Sequence, residues 1–124
     1  MKKIPFELFG EGQYMYMNIG RFIELQNLTG KTASEIVRNT EIDLDLITKF
    51  FAIALRHHGM KQPKWYAEKI QTLIEDGCSL ESDIQMPIVK CIAGSMILGK
   101  AMYYMVFPEE VTPEAESEIK AEKN

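Results

Sequence analysis

From residue 18 to residue 77 the apolar positions recur three and four apart, the spacing of helices with one buried face. Asn18 reads as an N-cap, and Ile19, Phe22, Ile23 and Gln26 follow at helical spacing, with Leu25 and Leu28 widening the apolar side. Thr29-Gly30 predicts the end of this helix, Gly30 supplying the left-handed residue that closes it. Thr32 or Ser34 starts a short helical turn through Glu35, Ile36 and Val37. The next helix is expected from about Asp43 to His58. Ile47, Phe50, Phe51, Ala54 and Leu55 form its stripe, Leu44 and Leu46 extend it, and Gly59 closes it. Pro63 sits in the first turn of a further helix, where a missing N–H costs nothing. There Tyr66, Ala67, Ile70, Leu73 and Ile74 predict an inward face and Lys64, Glu68, Lys69, Gln71 and Glu75 an outward one, ending at Gly77.

The two ends of the chain break this rhythm. Phe6-Glu7-Leu8-Phe9, Gly10-Glu11-Gly12 and Gln13-Tyr14-Met15-Tyr16-Met17-Asn18 read as strand, turn and strand. An isolated hairpin is marginal in water, so it must lie on the helices or pair with another chain. From Ile88 to Phe107 only Lys90 and Lys100 are charged, which predicts one long apolar helix with Pro87 in its first turns and Ser82 or Asp83 as cap. The twenty residues are long enough to cross a bilayer. Lys100, inside the run, would cost roughly 2.5–3.5 kcal/mol there, and no basic cluster flanks the segment to orient it. A helix buried in the core or in an oligomer is the stronger reading. Ala93, Gly94, Ser95, Gly99 and Ala101 permit close helix approach, either within the chain or as a self-association face through Gly94, Ser95, Gly99 and Met102. Met86, Met96, Met102 and Met105, with the sulfur of Cys91, make the segment soft and adaptable. The expected fold is therefore mainly α (α+β). A short N-terminal β-hairpin packs on a bundle of about four to five helices over residues 1–108. Residues 109–124 read as an acidic, solvated or disordered tail, with one weak helical stretch from Pro113 to Lys123.

Charge and composition narrow the function. Of 124 residues, 46% are hydrophobic and 26% charged, ordinary for a globular chain. The net charge of -4 resides in the tail, where six Glu and two Lys follow residue 108; the body is neutral and offers no electrostatic footprint for nucleic acid. Met1-Lys2-Lys3 precedes no long apolar run, so no secretory signal is expected and Cys78 and Cys91 should be free thiols in a reducing cytoplasm. His57 and His58 are adjacent, about 100° apart on a straight helix, and so are not expected to share a metal ion; a pair at the negative end of a helix dipole is the simpler reading. Glu41, Asp43 and Asp45 gather near a helix N-terminus, where the dipole alone accounts for them. Gly10-Glu11-Gly12 lacks the spacing and the lysine of a phosphate loop. These residues imply no catalytic centre, metal or cofactor. Trp65 beside Tyr66, and Tyr14 with Tyr16, are the candidate contacts for a partner protein.

The run from Gln13 to Gly77 resembles a known arrangement. Tyr14-Met15-Tyr16-Met17 leads into a helix with Phe22-Ile23-Glu24-Leu25 that ends Thr29-Gly30-Lys31. After a spacer come Phe50-Phe51-Ala52-Ile53-Ala54-Leu55-Arg56-His57-His58, then Lys61-Gln62-Pro63-Lys64, then a helix ending Leu73-Ile74-Glu75-Asp76-Gly77. The pattern is similar to that of the tail assembly chaperones of long-tailed bacteriophages and gene transfer agents. It covers about half the chain and is made of apolar and small residues rather than an invariant signature. The resemblance implies a non-enzymatic protein of the bacterial host cytoplasm that binds the tape measure protein, helps recruit tail tube subunits and forms a homo-oligomer. It also implies a variable C-terminal extension. The alternative is a small dimeric helical adaptor or regulator from a prophage or other mobile element.

Overall fold

The computed structural model describes residues 1–39 and 41–123. An antiparallel pair, β1 (Ile4–Pro5) and β2 (Tyr14–Met15), is followed by α1 (Ile19–Thr29), α2 (Ala33–Val37), α3 (Leu44–Ala54), α4 (Pro63–Glu75), α5 (Met86–Gly94), α6 (Lys100–Val106) and α7 (Pro113–Lys123). The mainly helical fold with an N-terminal hairpin is as the pattern predicts, with more helices than expected.

Local chemistry sets the helix ends. Asn18 accepts the Arg21 N–H at 2.8 Å and Gly30, at φ 73°, donates to the Gln26 carbonyl, so α1 starts and stops where its cap and its glycine require. Thr32 and Glu35 cap α2 reciprocally. Asp43 accepts the Leu46 N–H at the head of α3 and pairs with Lys31, tying α3 to the end of α1. Packed between α1 and α4, α3 is the centre of the core: Phe50, Phe51 and Ala54 have no exposed surface. On α4, Tyr66, Ile70 and Leu73 point inward as predicted, whereas Ala67 and Ile74 face outward.

The first strand lies two residues earlier than its pattern suggests, while β2 falls inside the expected second strand. Ile4 pairs with Met15 and Pro5 with Tyr14, and the Phe6 N–H closes the next rung on the Gln13 carbonyl at 2.9 Å. Phe6–Phe9 is part of the connection rather than a strand. Residues three apart in a strand face opposite sides; the turn lets both rings point inward. Phe6 meets Phe51 at 5.0 Å, and Phe9 meets Phe51, Tyr66 and Trp65 at 5.2, 5.4 and 6.0 Å. Along the second strand the alternation is strict: Met15 and Met17 enter the core, Tyr14 and Tyr16 stay half-exposed.

The long apolar helix expected from Ile88 to Phe107 is two helices. Ser95 bonds back to the Ile92 carbonyl at 2.6 Å, Met96 takes φ 69°, and Gly99 takes φ 89° with ψ 167°, a region open essentially to glycine. The fold-back lets Ile88, Cys91 and Ile92 on α5 and Tyr103 and Phe107 at α6 all reach buried positions, which one straight rod could not do. Among the described residues no helix is long and apolar enough to cross a membrane. The capping also begins earlier than Ser82 or Asp83. Ser79 accepts the Ser82 N–H and opens a π-helical turn, Leu80–Gln85, that runs into α5. In the acidic tail the weak helical stretch is α7: Thr112 caps it, Ala115 is buried, and Glu118 pairs with Lys100 at 3.3 Å.

Candidate protein-interaction surface

The four aromatic residues singled out in the sequence do not form one surface. Tyr14 and Tyr16 belong to a polar tie between β2 and the end of α3. After Ala54 the chain tightens into a 3₁₀ turn, Arg56–His58, so the two imidazoles lie side by side with ring centres 4.2 Å apart. A straight helix would hold them about 100° apart. His58 Nε2 accepts the Tyr14 N–H at 3.0 Å and His57 Nε2–H donates to the Tyr14 carbonyl at 2.9 Å. His57 Nδ1 then accepts from the Arg21 guanidinium at 3.2 Å. The predicted helix to His58 and its dipole-bound histidine pair are thus replaced by a clamp on the strand backbone.

Arg21 is the centre of that clamp and is only 3% exposed. Nη1 faces the carbonyls of Ile53 and Ala54 at 3.2 and 3.1 Å, Nη2 donates to the Tyr16 hydroxyl at 2.7 Å, and the guanidinium lies 3.7 Å from the centre of the Tyr16 ring. Ile53 and Ala54 end α3, so a cation from α1 sits on the last carbonyls of that helix, at the negative end of its dipole. Burial lowers the pKa of Arg21 and, with His58 and Arg21 beside it, that of His57. Sequence reasoning missed Arg21. The available signal was its position four residues before Leu25, on the side of α1 that faces inward.

Tyr66 is 2% exposed and serves the core, not a partner. Trp65 is half-buried against Phe9, and Lys61 and Lys69 each lie 5.3 Å from the ring. The residues expected to form a self-association face have different settings. Gly94, at the end of α5, is covered by the N-terminal segment: a Cβ there would stand 3.1 Å from Lys2 Cβ, and the Lys2 N–H donates to the Gly94 carbonyl. Ser95 and Gly99 build the turn between α5 and α6, and Met102 is exposed on α6.

An apolar concavity lies elsewhere. Between α2 and the start of α3 on one side, and α5 with Leu98 on the other, is an open cleft of about 70 Å³. Ile36, Ile47, Phe50, Ile88 and Ile92 form its buried walls, and exposed Val89 stands at its edge. Its polar lining consists of Asn39, Glu41, Asp43 and Gln85. Gln85, the last residue of the π-helical turn, also lines the cleft, and its side-chain oxygen is buried without a hydrogen-bond partner. Ile42, between Glu41 and Asp43, and Met86, one turn before Val89, add exposed apolar surface nearby.

Among the described residues no group of three or more His, Cys, Asp or Glu side chains is placed to hold a metal ion. The Cys91 thiol is fully buried, and burial pushes its pKa up to about 12. Compared with known protein families, with curated proteins and with solved structures, the chain matches none.

Proposed function

We propose that this chain is a non-enzymatic assembly chaperone that works by holding another protein, in the manner of the phage tail assembly chaperones that its sequence resembles. Its client is a tape measure protein, a long helical chain with much apolar surface, and it helps bring tail tube subunits to that client. The observation that carries this reading is the cleft beside α5: a pre-formed apolar concavity with exposed Val89 and Met86 alongside. Such a surface suits helix-in-groove recognition, and methionine side chains adapt to varied apolar partners. Self-association draws on exposed Met102 and Met105 of α6, since Gly94 is already covered within the chain.

The test is co-expression with a tape measure fragment encoded beside it, followed by affinity capture and light scattering. A stable complex with several copies per client is expected. Failure to capture any tape measure fragment, with a discrete dimer in solution, would instead favour the small dimeric adaptor or regulator.

A further inference from the structure

We propose that the cleft between α2–α3 and α5 receives one apolar side chain from a helical partner segment that carries an arginine or lysine one turn away. This rests on the protein-binding reading above and names the chemistry that the cleft selects. Size sets the first part. A cavity of about 70 Å³ is well below the roughly 150 Å³ that holds a benzene-sized molecule, so it admits a single aliphatic side chain more readily than a free ligand. Its open side lets a partner's backbone stay outside while the side chain enters. Its walls are Ile36, Ile47, Phe50 and Ile92, with no charge among them.

Polar chemistry sets the second part. Glu41 and Asp43 place two carboxylates on the same lining. Lys31 engages Asp43, and Glu41 is exposed. A cationic side chain next to the apolar anchor brings the complementary charge, which exposed Glu41 is placed to meet. The same charge disfavours the chain's own tail, whose six Glu and two Lys would meet these carboxylates with like sign.

The probes are three fluorescein-labelled amphipathic peptides of about four helical turns. Each has one central Leu, and they differ only in an Arg, Gln or Glu one turn from it. The Arg peptide should bind tightest and the Glu peptide weakest, with about two- to fivefold between successive members. Replacing the central Leu by Ala should weaken binding about tenfold or more. Methyl NMR signals of Ile36, Ile88 and Ile92 should move on binding. Glu41→Gln should narrow the difference between the Arg and Glu peptides, and Val89→Trp should block the cleft while leaving the thermal melt in place. If Val89→Trp disturbs folding, Val89→Glu, at the same exposed edge, reports the same loss. Equal binding of all three peptides, or methyl shifts away from the cleft, would overturn the proposal. So would shifts of the same methyls on concentrating the protein without peptide, because a second copy would then be the occupant. Capture of a tape measure fragment separates the two readings. If Val89→Trp captures it as well as the unchanged protein does, the cleft is wrong and the chaperone reading stands; if neither captures it, the chaperone reading fails.

Discussion

Arg21 closes the end of a helix to which it does not belong. Its guanidinium stands where α3 runs out of backbone donors, and the Tyr16 hydroxyl and His57 Nδ1 complete its shell. Arg21→Met keeps much of the side chain's bulk but strands these acceptors, so a loss of about 2–4 kcal/mol is expected in urea denaturation. The same network gives a pH dependence. The neutral His57 ring uses one nitrogen to accept from Arg21 and the other to donate to Tyr14, and a protonated ring would turn a donor toward a cation. Burial, with His58 and Arg21 alongside, holds its folded pKa below the ordinary 6.5. The unfolded chain takes up this proton first, so the stability is fully present above 6.5 and is lost as pH falls from there through the folded value. Urea midpoints should drop between pH 7.5 and pH 5.5, and His57→Gln, which can still accept and donate but cannot titrate, should flatten that drop. An unchanged slope in the variant would assign the effect to other groups. Thiol chemistry separates the cysteines. Cys91 is buried and Cys78 is half-exposed, so a thiol reagent should modify one cysteine in the native protein and two after denaturation.

At the scale of elements, the turn between α5 and α6 is the most informative. Met96 holds φ 69°, a conformation that disfavours side chains by roughly 1–2 kcal/mol. Met96→Gly should therefore be neutral or stabilising, against the usual cost of a glycine, whereas Gly99→Ala should lower stability by about 1–3 kcal/mol. Thermal melts of the two variants should move in different directions or by clearly different amounts. The sequence did not disclose this turn because Met96, Ile97 and Leu98 are themselves apolar and leave no change of period to mark a loop. Where caps carry the information, the reading was close. Asn18, Gly30, Thr32 and Pro63 stand at the helix ends that they predict. Tertiary partners are what local pattern could not show: the carbonyls that hold Arg21 belong to α3, and the walls of the cleft come from α2, α3 and α5 together. The adjacent histidines stand apart on a straight helix, and the 3₁₀ turn brings them side by side.

Across the molecule, stability is concentrated around α3 and thins toward the C-terminal end. Ala115 is a buried residue of α7, and the Lys100–Glu118 pair is exposed, a setting in which such pairs contribute about 0–1 kcal/mol. Ending the chain after Val111, which keeps Glu110 and its ties to Lys2 and Tyr103, should leave the thermal midpoint within a few degrees. A large drop would show that α7 is part of the core. The N-terminal hairpin is held quite differently. Its ties are long in sequence, from Tyr14 to His58 and from Lys2 to Gly94. In time, that means the segment synthesised early is fixed late: the hairpin leaves the ribosome before either partner exists. Until α5 has emerged, β1 and its Ile4 lack the helix that covers them, so the nascent chain carries part of its own apolar hairpin uncovered through most of its synthesis.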